Sequence, residues 1–115
     1  MTSRDDIVAA LATAGLDAHA TITGPIVAGM AWPAWRSTRW ANAVPDGVRL
    51  GAWYVFVALP NGAPDVTVAE ADPLVVSIGA ALISIGLQIE VVEPYSIPVE
   101  EGTQRVPVLR YSVND

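Results

Sequence analysis

Sixteen consecutive residues, 74–89, carry no charge, and this run limits what the chain can become more than any other feature. It falls short of the roughly 20 apolar residues that a membrane-spanning helix needs. Ser77, Ser84 and Gln88 interrupt it, and its flanks are acidic (Glu70, Asp72, Glu90, Glu93) where a spanning helix has Arg or Lys on one side. No membrane span is expected, and the run reads as a helix of a globular protein. Asp72 followed by Pro73 predicts its N-cap and first helical residue, and Gly86 predicts its end. Leu74, Ile78, Leu82 and Ile85 then share one face, to be buried against a sheet. Ser77, Ala81, Ser84 and Gln88 lie on the other side without a charge among them, whereas an exposed helix face ordinarily carries Glu, Lys or Arg. A domain of 115 residues has few layers to spare. Either a loop of this chain or a neighbouring subunit is expected to cover that second face.

The remaining residues supply a sheet and a first helix. Ser3 and Asp6 have the spacing of a capping box that opens a helix at Arg4, with Ile7, Val8 and Leu11 on one face and Gly15 at its end. Between residues 18 and 31, the β-branched Thr21, Ile22, Thr23, Ile26 and Val27, interrupted by Gly24-Pro25, predict a bulged or edge strand. Residues 48–59 are nearly continuously apolar through Trp53, Tyr54, Val55, Phe56 and Val57, the pattern of a strand covered on both faces. Pro60-Asn61-Gly62 closes it with turn chemistry. Ile89, Val91 and Val92 begin another strand, which breaks near Pro94 and resumes at Ile97. Residues 106–113 predict a last strand with Leu109, Tyr111 and Val113 on one face, and Glu100-Glu101-Gly102 predicts the hairpin tip between the two. Residues 31–47 follow neither a period of two nor one of 3.6 and predict a long ordered loop. The expectation is a single α+β domain over residues 1–115, a mostly antiparallel sheet of about four strands packed with two helices.

Catalytic chemistry has little to work with. The chain has one imidazole, His19, and Ser77-Ile78-Gly79 lacks the G-x-S-x-G elbow that exposes a hydrolase serine. His19 reads as an ordinary polar residue at the start of a strand. Asp5 with Asp6, and Glu70 with Asp72, are explained by helix capping and the helix dipole, and no loop offers several oxygen ligands at cation-binding spacing. Glycine-rich phosphate loops are missing, and the sequence contains no lysine to serve one. Without cysteine there is neither a disulfide nor a thiolate metal site. No catalytic, cofactor or metal site is therefore expected. Met1-Thr2-Ser3-Arg4-Asp5-Asp6 lacks the basic and apolar stretches of a signal peptide, which predicts an intracellular setting.

Residue types associated with binding gather in the Trp-rich segment. Trp32, Trp35 and Trp40 with Arg36 and Arg39 have the makeup of a protein interface and also of a base-stacking platform. Three readings stand: a lid packed on the core, a protein contact, and a single-stranded nucleic-acid platform. A formal net charge of −6 works against the last, because an acidic domain repels phosphate. A small-molecule pocket beneath the segment, or an enzyme without a familiar motif, would be a separate alternative.

The short first helix, the strand, the long segment around Ala31-Trp32-Pro33-Ala34-Trp35, the strand Trp53-Tyr54-Val55-Phe56-Val57, the apolar helix and the terminal strand pair together resemble the small tail-terminator proteins of long-tailed bacteriophages. The likeness runs over nearly the whole chain and rests on size and element order. It implies a structural virion protein, made in the host cytoplasm, that forms a homo-oligomeric ring, commonly a hexamer. Such a ring caps the tail tube protein, meets the head-tail connector or stopper protein on its other side, and lets DNA pass without specific binding. Another neck or head-completion protein is the alternative within the same resemblance. Trp32, Trp35, Arg36, Arg39, Trp40, Ala81, Ser84, Glu100 and Glu101 would be the partner contacts.

Overall fold

The computed structural model describes residues 2–22, 24–40, 49–58, 68–98 and 105–115. In chain order these form α1 (Arg4–Thr13), β1 (Asp17–Ala18), β2 (Met30–Trp40), β3 (Arg49–Ala58), α2 (Val68–Ser84), β4 (Gln88–Pro98) and β5 (Arg105–Asn114). The strands make one sheet in the order β1-β2-β3-β5-β4, antiparallel except for β1, which runs parallel to β2. Because β5 is antiparallel to both of its neighbours, β3 and β4 run the same way, and α2 is the crossover between them. β5 then returns into the gap. The α+β class and the two helices are as the sequence predicts, and the fifth strand is the two-residue β1.

The helix ends follow from particular residues. Ser3 Oγ accepts from Asp6 N at 3.1 Å while Asp6 Oδ2 accepts from Ser3 N at 3.2 Å, the expected capping box. Gly15 and Gly86 hold φ of +89° and +94°, the left-handed conformation in which glycine meets no Cβ penalty. Beyond each, the next residue donates back into the helix, Leu16 N to Leu11 O and Leu87 N to Leu82 O, closing paired C-terminal motifs. α2 starts at Val68, ahead of the expected Asp72-Pro73 boundary, and Pro73 lies inside it. Ala69, Glu70 and Ala71 are strong helix formers that carry the helix backwards, at the cost of the one bond that Pro73 cannot donate. Gln88 correspondingly opens β4 instead of belonging to the helix.

Both helices cover the same face of the sheet. Ile7 and Leu11 of α1, with Ile78 and Leu82 of α2, meet Trp53, Val55 and Val57 of β3 and Leu109, Tyr111 and Val113 of β5 in one buried cluster. Alternate residues of β3 and β5 point to this side, so the period of two places them together. α2 approaches closely because residue 79 is glycine: a Cβ there would come within 3.3 Å of Ile89 Cδ1.

The clearest departure from expectation lies in residues 18–40. Only Asp17–Ala18 and Met30 onward are strand, and between them the chain leaves the sheet, with Ile22 and Ile26 packing on Met30, Trp32, Ala58 and Val108 on the face away from the helices. The Trp-rich segment, expected as a loop, is β2 itself. Its alternation is invisible in hydropathy because both faces are apolar at this point: Ala31, Pro33 and Trp35 point one way, Trp32 and Ala34 the other. Pro33 is tolerated for a topological reason. Ala31 O accepts from His19 N on the β1 side, and residue 33, two further on, turns its backbone to that same outer side, where β1 has already ended. Likewise β4 does not break near Pro94 but runs through it, in the outermost strand of the sheet, where proline is tolerated.

Candidate interaction surfaces

β2 splits the expected contact residues between two faces. Trp32, 8% exposed, stacks on Phe56 at 5.6 Å between ring centroids, on the side away from the helices. Trp35 pairs in register with Trp53 and so points to the helix side, but beyond the end of β1 it remains 58% exposed, its Nε1 donating to Thr38 Oγ1 at 3.0 Å. A bulge between Trp35 and Ser37 follows and turns Arg36 over Tyr54, 5.3 Å from the ring centroid. Arg39 is exposed opposite Leu50, and Trp40 ends the strand opposite Arg49. The Trp and Arg residues therefore do not form a single platform.

Register builds a second arrangement that spacing alone does not reveal. Arg36 of β2, Tyr54 of β3, Arg110 of β5 and Tyr95 of β4 form a row across the uncovered face, with the Arg110 guanidinium 4.9 Å from the Tyr54 ring and 4.3 Å from the Tyr95 ring. Arg110 pairs with Glu93, and Arg36 lies 3.4 Å from Glu90. The hydrogen bond to Glu93 raises the Arg110 pKa above its ordinary value despite partial desolvation. Ala52 and Ser112 are buried on this same face, where Arg36 and Arg110 are only partly buried.

The helix layer presents a different surface. α2 turns Val76, Ala80 and Ile83 outward at i, i+4 and i+7, with Val76 64% and Ile83 59% exposed and Ser77 and Ser84 beside them. Next to this ridge runs a groove of about 470 Å³, lined by Asp6, Ala9, Ala10 and Thr13 of α1 and by Ala81, Ser84 and Ile85 at the end of α2. The Thr13 and Ser84 hydroxyls donate to Ala9 O and Ala81 O, so they are turned to their own helices. Small and apolar groups make up most of the groove, with Asp6 also in its lining. A Trp lid over this side of α2 is ruled out, because the Trp segment is a strand of the very sheet on which α2 lies. A pocket beneath a Trp loop falls with it.

Glu100 and Glu101 lie outside the described residues; the strands flanking them pair antiparallel, Pro98 opposite Arg105. His19 Nε2 sits 3.0 Å from an Asp17 carboxylate oxygen at the end of β1. Among the described residues no helix is long and apolar enough to cross a membrane, and no group of three or more His, Cys, Asp or Glu side chains is placed to hold a metal ion. The sequence places Ser77, Ala81, Ser84 and Gln88 on the outward side of α2; the structure exposes Ser77 and Ser84 there but centres the ridge on Val76, Ala80 and Ile83, leaves Ala81 half-buried and puts Gln88 in β4. The Arg–Tyr row needs the strand order, which brings β5 between β3 and β4. No protein-family model matches this chain, and no curated protein matches it either.

Proposed function

We propose that this protein is a structural subunit that assembles with copies of itself into a closed ring, most simply a hexamer, at the head-proximal end of a long phage tail. There it joins the tail tube protein to the connector or stopper protein. One observation carries the reading: the exposed face of α2 is uncharged in every described side chain from Val75 to Leu87 and apolar apart from Ser77 and Ser84, in a chain that is elsewhere well supplied with carboxylates. Such a surface is costly to leave in water and marks a place where another protein sits. The element order that resembles tail terminators supports the ring, and head-to-tail contacts between identical subunits close into one when the rotation per step permits. A net charge of −6 per subunit fits a channel that conducts DNA without gripping it. Negative-stain images of purified tails decide the matter. A ring of this protein at the head-proximal end is the expected result, and its absence from both tails and necks removes the proposal.

The groove volume favours one competing reading, a small-ligand module, since about 470 Å³ lies within the range of ligand sites. Thermal stabilisation of the isolated domain by a small apolar molecule would support that reading over the ring.

A further inference from the structure

We propose that residues 20–28 are a detachable strap, a built-in cover that lifts from the open face of the sheet while the rest of the domain stays folded. The segment follows β1, crosses the face away from the helices and rejoins the sheet at Met30; Thr23 within it lies outside the described residues. Its described residues make three hydrogen bonds, all near its ends. Ala20 O accepts from Arg4 Nη1 at 2.7 Å, Val27 O accepts from Met30 N at 3.2 Å, and Val27 N donates to Met30 Sδ at 3.1 Å. Between them Thr21, Ile22, Gly24 and Ile26 make none. Only Ile22 and Ile26 are half-buried, and every other described residue of the strap is exposed. Backbone that already bonds to water loses no bond on lifting, so the contact of two isoleucines is what holds the strap down. Gly29, at φ +87°, forms the turn by which the far end returns to β2.

Beneath the strap Met30, Trp32, Ala58 and Val108 are buried. Trp32 stacks on Phe56, and Phe56 lies 6.0 Å from Tyr95, so the strap conceals one end of an aromatic row that runs from β2 over β3 to β4. Lifting it adds Trp32 to the part of that row which the domain presents to its surroundings. The opposite face has no such weak cover. There Ile7, Leu11, Ile78 and Leu82 are fully buried on helices whose backbones bond internally, and exposing what lies under them means unfolding the domain. The two faces therefore open at different free energies, and the strap gives the lower one.

The sequence contains no cysteine, so a single engineered thiol in the full chain reports each opening. Ala58→Cys lies under the strap and its neighbour Val57→Cys faces the helices, at positions where the native side chains are 2% and 0% exposed. A thiol reagent should modify A58C about 100-fold or more faster than V57C. The A58C rate should scarcely change in low urea, because a lifted strap exposes little surface, whereas the V57C rate should climb steeply with global unfolding. Adding Ile26→Ala should speed A58C labelling about 5-fold. Adding Ile78→Val, under the helices, should speed V57C labelling by about the same factor and leave A58C unchanged. Val108→Cys and Val113→Cys, both fully buried on opposite faces of β5, repeat the comparison if A58C does not fold. The strap is overturned if the thiols under the two faces share one rate and one urea dependence, if Ile78→Val speeds both, or if Ile26→Ala leaves the thiol under the strap unchanged.

Discussion

The two faces of the sheet are covered by different means. On one, Val55, Val57, Tyr111 and Val113 are fully buried under α1 and α2, dry and close-packed. On the other, part of the surface lies under Ile22 and Ile26, and part carries the guanidinium groups of Arg36 and Arg110 laid over Tyr54 and Tyr95. A nearly continuous apolar strand such as β3 asks for cover on both sides, and 115 residues provide one full layer of helices. Amphipathic side chains supply what a second layer would have. The helix-covered face should therefore punish charge and lost volume severely, and the open face should depend on stem length more than on charge.

Leu82→Asp is the harshest way to break the first half of this contrast. It places a carboxylate without a partner in a fully buried position, at a cost of several kcal/mol, comparable with the total stability of a domain this size. No cooperative thermal transition by circular dichroism is expected. A soluble, cooperatively melting L82D protein would show that α2 packs by another face. Val57→Ala, on the same side, should cost about 2 kcal/mol in urea unfolding from lost methyl burial and the cavity left behind.

Arg110 sharpens the second half. Arg110→Ala should cost about 1–2 kcal/mol, whereas Arg110→Met, which keeps the stem over the aromatic rings, should cost less than about 1 kcal/mol. Equal losses for the two would mean that the pair with Glu93, not coverage, holds this face.

How far all of this was readable beforehand differs by region for a physical reason. Ser3 with Asp6, Gly15, Gly86 and the 48–59 run all carry their meaning locally, in capping spacing, left-handed glycine and unbroken apolarity, and each was readable. β2 was not, because alternation shows only when the two faces of a strand differ in polarity, and Trp32 and Trp35 face opposite ways with equal apolarity. The start of α2 at Val68 departs from the Asp72-Pro73 signal for a related reason: Asp-Pro is a strong local signal, and the helix formers before it outweigh it. Of the contact residues, Ala81 and Ser84 do line a groove, while Arg36 gains its neighbours Tyr54 and Glu90 only through pairing distant in sequence.

Tyr111 tests the dry face more gently. Its hydroxyl donates to Val75 O at 3.2 Å, tying β5 to α2, and burial pushes its pKa far above the ordinary value of 10.0. The folded state thus favours the neutral phenol. That preference is fully in force below the unfolded value and is lost as pH rises above about 10, so stability should decline there more steeply in the wild type than in Tyr111→Phe. At neutral pH, Tyr111→Phe should cost about 1 kcal/mol for the lost hydrogen bond.

The smallest expected effect sits where the two faces meet at the sheet end. Asp115 accepts from Thr2 N at 3.0 Å and from Gly51 N at 2.7 Å, clasping the segment before α1 to β3. Partial burial alone would raise its pKa, but the hydrogen bonds from Thr2 and Gly51 outweigh that, and the carboxyl lies below its ordinary value of 3.8. A lowered folded pKa means that the charged form is favoured in the native state. The stabilisation is present above the unfolded value and is lost as pH falls through the folded one, the mirror image of Tyr111. Asp115→Asn keeps an acceptor and the side chain's shape but removes the charge, so it should cost less than about 1 kcal/mol at pH 7 and flatten the acid limb of the stability curve below about pH 4. Urea titrations from pH 7 to pH 3 measure both. An acid limb identical in D115N and the wild type would place the acid sensitivity of this domain on other carboxylates and reduce the clasp to a surface contact.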